Sequence, residues 1–340
     1  MELRATSPLS SPLSSVARSS TPQRLLWLVA GAAIAAAPFV LEDYYVFQLT
    51  LVMACSVALL GLNLLTGFNG QISLGHGAFF ALGAYTEAIL MSQLGVSYAV
   101  GVPVAGVVCL VFGMLFGLPA LRLEGLYLAL ATFALGVSLP QLLKSRHLAP
   151  WTGGVQGITL SKPAAPLELA LTPDQWLYFF TLLWLLVSFW SARRLLKSHV
   201  GRAIVAIRDQ PIAALAMGID VARYKTFTFG ASALYTGIAG ALSAVAVQFV
   251  APDSFSILVS IDLLVGIVVG GIASLPGAVY GALFVRFVPM LTDQLSKSAT
   301  GAVYGVVLIG FVYALPFGIA GFVKRIAARL SGSLSRRGHD

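Results

Sequence analysis

Few residues in this chain are equipped for chemistry. Lys, Arg, Asp and Glu make up 10% of its 340 residues and hydrophobic types 58%, so every charge set among apolar residues demands a reason. Glu87 separates two long charge-free runs, Tyr44 to Thr86 and Ala88 to Leu121, while Asp262 and Arg286 bracket another, Leu263 to Val285. An Asp, Lys or Arg at the centre of a membrane helix costs about 2.5–3.5 kcal/mol on insertion scales, so such groups face a cavity, a partner or the interface. A paired or snorkelling side chain is the plainer reading, with Arg286 open to either carboxylate. His76, between Gly75 and Gly77 at the head of an apolar run, reads as a hydrogen-bonded helix-start histidine, with a proton relay as the sharper alternative. No second His, Cys or carboxylate stands at metal-ligand spacing from it. Asn69-Gly70-Gln71 places three polar or flexible residues in a row where lipid would leave them unsatisfied, which suits a broken helix lining a polar path. The path candidates are thus Asn69, Gln71, His76, Glu87 and Asp262.

Catalysis has no foothold in the sequence. No nucleophile with its base and no metal cluster marks the membrane surface. The Lys-Ser or Lys-Thr pairs at Lys197, Lys225 and Lys297 do not follow glycine, as a phosphate-cradling G-x-x-x-x-G-K-[ST] loop requires. No catalytic residue, metal or cofactor is therefore expected. Cys55 and Cys109 lie in apolar stretches and read as small buried hydrophobes.

The elements that must position these groups follow from composition. An ordinary soluble domain is about 25% charged, and disorder requires low hydrophobicity, so the chain reads as an all-α integral membrane protein. A pI near 9.7 and net charge of +8 do not imply nucleic acid, because the basic residues sit in gaps between apolar runs. At about 20 residues per crossing, the charge-free runs divide into ten spans: 25–41, 44–65, 76–94, 97–121, 125–143, 175–192, 226–250, 256–274, 277–292 and 301–323. The breaks fall at Gly67-Phe68-Asn69-Gly70 and Ser274-Leu275-Pro276-Gly277, where glycine turns the chain and proline ends a helix. Some spans are therefore broken or re-entrant. Gly-x-x-x-Gly spacings at Gly113, Gly266, Gly277 and Gly301 suit close helix packing. A faint echo links Leu62 to Gly67, "LNLLTG", with Ile261 to Gly266, "IDLLVG", each followed by "SL" and then "GA".

Basic residues in short loops stay cytoplasmic. With both termini inside, sixteen of the 21 Lys and Arg residues fall on the cytoplasmic side; Lys144, Arg146, Lys162 and Lys297 face out and Arg286 lies within a span. This divides the chain into a disordered cytoplasmic segment, 1–24, a transmembrane domain, 25–323, and a basic cytoplasmic tail, 324–340. The domain carries an external loop, 144–174, and a cytoplasmic loop, 193–225. A cleaved signal ending near Ala35-Ala36-Ala37-Pro38 is the alternative for the amino terminus.

The cytoplasmic loop has the form of a docking element. Asp209 stands as a cap before Pro211, and Gly218 closes a short helix over Gln210 to Met217; Arg202 to Ile207 forms another. The small residues Ala213, Ala214 and Ala216 allow another protein to approach closely. Gly201 to Leu242, "GRAIVAIRDQPIAALAMGIDVARYKTFTFGASALYTGIAGAL", resembles the coupling loop of permease subunits from branched-chain (hydrophobic) amino-acid importers of the ATP-binding-cassette class. Gly61 to Tyr85, Leu121 to Thr132 and Ile261 to Gly281 resemble the same family, and the "LRLEGLY" element resembles the longer of its two paired permease types. Pro211 and Leu215 depart from the acidic or polar residues often found there.

The resemblance implies part of a translocation path for branched-chain or other hydrophobic amino acids, or similar amphipathic solutes. It also implies a second permease subunit, cytoplasmic ATP-binding subunits, an external solute-binding protein and a place in the bacterial inner membrane. Coupling to the ATPase falls to Arg208, Asp209, Ala213, Ala214 and Gly218. A secondary transporter or channel is the competing class, but it has no use for a capped small-residue helix in a cytoplasmic loop.

Overall fold

The computed structural model describes residues 21–120, 123, 125–163, 171–295 and 300–326. Residues 1–20 of the amino-terminal segment, Arg122, Glu124, 164–170 of the external loop and 327–340 of the basic tail lie outside the described residues. Two compact units divide at Glu42. The first holds one described helix, α1 (Thr21–Val40), which begins four residues ahead of the expected span.

The second unit is built from helices. In order they are α2 (Asp43–Leu62), continued by a π-helical segment Asn63–Phe68, then α3 (His76–Leu94), α4 (Tyr98–Ala120), α5 (Leu126–Leu143), the short α6 (Ala149–Thr152) and α7 (Pro173–Lys197). After them come α8 (His199–Asp209), α9 (Pro211–Ala216), α10 (Val221–Val247), α11 (Ile257–Gly270), α12 (Leu275–Leu295) and α13 (Thr300–Ala314). Seven described stretches are long and apolar enough to cross a membrane: Asp43–Phe68, Tyr98–Pro119, Leu126–Leu143, Pro173–Lys197, Val221–Val247, Pro252–Gly270 and Leu275–Asp293. The three other expected positions carry α1, α3 and α13.

Local chemistry sets the boundaries. Thr172 and Gln175 form a capping box at the start of α7, with Asp174 in its first turn and Arg194 and Lys197 in its last, as the helix dipole favours. Asp220 caps α10 through the Arg223 N–H. Two expected spans end early. The 256–274 span stops at Gly270, because Gly271 takes φ 119°. The 301–323 span is interrupted after Ala314, where Pro316 lacks an N–H and Gly318 turns at φ 67° before helix resumes over 318–326.

Buried α10 lies at the centre, packed on α2, α3 and α4. Its approach to α3 depends on the absence of side chains: a Cβ on Gly83 would strike the Gly237 backbone, and one on Gly240 the Phe80 carbonyl. The α11–α12 pair closes in the same way, Gly270 against Gly277 and Gly281 against Gly266, so those repeats serve packing. Around Gly301 and Gly305 space is open. Beyond α10, a two-residue strand β2 (Phe249–Val250) pairs antiparallel with β1 (Ile158–Thr159). With the Lys144–Asp253 ion pair, this pins the described part of the 144–174 loop across the end of the bundle.

Candidate functional site

The chain between α2 and α3 leaves the helix, as the sequence suggests, and three neighbouring helices hold it. The π segment ends at Asn69, and residues 70–75 run without helical hydrogen bonding, Gly70 at φ 74°. The orphan N–H groups at the head of α3 find side-chain acceptors: Leu74 donates to Thr132 Oγ1 of α5 at 3.0 Å and Gly77 to Ser260 Oγ of α11 at 2.9 Å.

His76, fully buried, lies in a closed hydrogen-bond chain. Ser232 Oγ donates its one hydrogen to the Gly61 carbonyl at 2.6 Å, so it accepts from His76 Nε2 at 2.6 Å. Nδ1 is then the acceptor, taking the Ser73 hydroxyl at 2.8 Å. Both nitrogens are occupied, Nε2 donating and Nδ1 accepting, and the chain of bonds ties the break to α10.

A second break, residues 271–274 between α11 and α12, meets the first directly. Asn63, the first residue of the π segment, donates from Nδ2 to the Ser274 carbonyl at 2.8 Å and accepts from the Ala273 N–H through Oδ1 at 2.9 Å. One buried amide thus clasps the two breaks together. The faint sequence echo corresponds to a shared helix–break–helix plan, with Asn63 and Asp262 at matching positions.

The loop carrying α8 and α9 reaches the same place. Arg208 donates from Nη1 to the Gly67 carbonyl at 3.1 Å, while its Nε and Nη2 hold Asp209 Oδ1 at 2.9 and 2.8 Å. Gly67 offers one of the carbonyls left over at the end of the π segment, where a cation is favoured. Around this contact lies a cavity of about 200 Å³ reached by Asn69, Gln71, Arg208, Pro211 and Lys225. Both amide atoms of Asn69 and Nε2 of Gln71 are buried without a hydrogen-bond partner.

Two expectations for this loop are corrected. Gln210 rather than Asp209 is the N-cap of α9, because the residue before a proline is driven to extended backbone; Asp209 ends α8 instead. Ala214 is not on an open face. It is 4% exposed and packed inward, whereas Ile212, Leu215 and Met217 are 85%, 63% and 82% exposed. Ala213 is exposed beside them, and Gly218 turns the chain at φ 81° as expected.

The intramembrane charges separate. Glu87 is buried with its carboxyl against Gly101 of α4, and neither oxygen has a hydrogen-bond partner. Asp262 of α11 and Arg286 of α12 instead line one cavity of about 330 Å³, walled also by α2, α3, α10, β2 and Pro252–Phe255. Of the five path candidates, then, Asn69 and Gln71 share a crease with Arg208, His76 is buried between Ser73 and Ser232, and Glu87 and Asp262 lie in different places. The clasp of Asn63, the Arg208 contact and the bulky face of α9 were not anticipated. For Asn63 a signal existed in the echo.

An α-helical bundle with broken helices and seven described stretches able to cross a membrane defines a multi-pass membrane protein. The chain belongs to the branched-chain amino acid transport system permease family, whose model matches residues 44–312. It is 34% identical over 290 residues to the high-affinity branched-chain amino acid transport system permease protein LivM of Escherichia coli, covering 78% of this chain and 68% of that one. To the LivM protein of Salmonella typhimurium it is 34% identical over 279 residues, covering 75% and 65%. A probable branched-chain amino acid transport permease protein, LivH, of Methanocaldococcus jannaschii is 25% identical over 300 residues, covering 83% and 92%. The matched stretch thus spans about two thirds of the LivM relatives' length. No solved structure matches.

Proposed function

We propose that this chain is a permease subunit of an ATP-driven importer for branched-chain or other hydrophobic amino acids, set in a bacterial inner membrane with ten spans and both termini cytoplasmic. It works with a second permease subunit, cytoplasmic ATP-binding subunits and an external solute-binding protein. The relatives' names supply the substrate class. The observation that carries the mechanism is the Arg208–Gly67 contact, which joins the basic loop to the end of a broken membrane helix.

In this reading Ile212 and Leu215 of α9, with Met217 just beyond its end, face water in the free chain and are covered by an ATP-binding subunit. ATP-driven movement of that subunit displaces α9 and the adjoining α8. Arg208 transmits the displacement to the Gly67 carbonyl, and the Asn63 clasp carries it to the second break. Both breaks then shift together relative to α10, where His76 is held.

Leu215→Glu tests the docking face. Burying a charge without a partner at an interface costs several kcal/mol, each 1.4 kcal/mol being tenfold in affinity. Membrane abundance is expected to be normal, while co-purification of the ATP-binding subunit and ATP-dependent uptake fall at least tenfold. Unchanged uptake would remove the coupling role from α9.

A further inference from the structure

Arg286 lies mid-way along α12 and is exposed on the isolated chain, a position where a guanidinium cannot face lipid without a large cost. Asp262, half-buried on the adjacent α11, lines the same cavity. Two opposite charges on packed helices ordinarily close an ion pair. Here they do not: neither makes a hydrogen bond or an ion pair within 4 Å among the described residues. Much of the remaining wall is aliphatic and aromatic, with Leu51, Ala54, Val259 and Leu263 along one part and Phe80 and Phe255 along another. Its volume of about 330 Å³ is at the low end of small-molecule sites, roughly 300–1,000 Å³.

The chemistry of this cavity selects its occupant. A simple cation would need Asp262 without Arg286, an anion the reverse, and an apolar solute neither. We propose that the cavity binds a zwitterionic solute with a short apolar body, Arg286 taking its carboxylate, Asp262 its ammonium, and the aliphatic wall its side chain. The inference deepens the permease reading above and rests on it. Bound solute replaces the missing ion pair with two charge-assisted hydrogen bonds and leaves the site electrically neutral, which lowers the cost of carrying charge into the membrane. Phe249 of β2 and Ser254 and Phe255, which follow it, also line the cavity. They set the cavity beside the β1–β2 pair, which in the reading above is the side facing an external binding protein.

Cys55 lines the same cavity, while Cys109 is buried elsewhere with its thiol on the Phe79 carbonyl. This makes occupancy measurable. In the complete importer in nanodiscs, with Cys109→Ser, alkylation of Cys55 by N-ethylmaleimide is followed with and without millimolar leucine. A second variant, Ser254→Cys with Cys55→Ser, is read in parallel. Leucine is expected to slow alkylation in both. Arg286→Gln and Asp262→Asn should each weaken this protection roughly tenfold or more, the worth of one charge-assisted contact. Isoamylamine, which lacks the carboxylate, should protect the Arg286→Gln importer but not the Asp262→Asn one; isocaproate should do the opposite. Absence of leucine protection in both reporters, or equal loss with both analogues, overturns the site while leaving ATP-dependent uptake intact. Protection in a chain whose uptake proves independent of ATP overturns the importer reading and leaves the site standing.

Discussion

Single residues in this protein act through their pairing. The imidazole of His76 is satisfied on both nitrogens, and Ser232 is shared between it and the Gly61 carbonyl. Ser232→Ala leaves Nε2 of the buried His76 unpaired, at roughly 1–3 kcal/mol. Its melting temperature in detergent is expected to drop, with uptake per assembled importer little changed. A variant of normal stability with abolished uptake would restore the proton-relay role. The charges Asp262 and Arg286 were legible as outliers in the sequence, because burial of charge is expensive wherever it occurs. Their convergence was not legible, since it depends on how α11 and α12 rotate about their axes. Asp209 shows the opposite limit: it is a good capping residue by type, yet Pro211 moves the cap one position along.

Elements were read from punctuation. Both breaks were visible because glycine, asparagine and proline fall together there, at Gly67-Phe68-Asn69-Gly70 and Ser274-Leu275-Pro276-Gly277, and such clusters favour turns. The π segment was not visible, because Asn63–Phe68 has the same apolar pattern whether its hydrogen bonds span four residues or five. The face of α9 was misread for a related reason. Two turns of helix offer an open and a covered side, and only the fold of α8 and α10 beneath it decides which is which. At the α3–α10 crossing the packing is so close that Gly83→Val cannot be accommodated without moving the Gly237 backbone. Overpacking costs typically 1–3 kcal/mol or more, so loss of a monodisperse species in detergent is expected. Gly305→Val, in open space, should change stability by about 0.5 kcal/mol or less. Equal behaviour of the two variants would contradict the crossing.

At the scale of the whole molecule the orientation follows from charge. Sixteen basic residues against four are the basis for proposing that the loop carrying α8 and α9 is cytoplasmic and the 144–174 loop external. Cysteines introduced by Ser161→Cys and Ser331→Cys should react with impermeant reagents from opposite sides; labelling from one side would reverse the arrangement. The all-helical, membrane-spanning character was accessible from the sequence because hydrophobic length is a local property. Neighbour relations, such as α10 at the centre, depend on small-residue surfaces that look alike in every helix.

The clasp of Asn63 gives the chain a clock. Its amide is synthesised 210 residues before the Ala273 N–H that completes it, an interval of roughly 10–40 seconds at about 5–20 residues per second. During that time the first break emerges from the ribosome with a polar group that has no native partner. A nascent chain that stops short of Ala273 therefore lacks both native partners of this amide, and the two breaks cannot be joined until the second has been made.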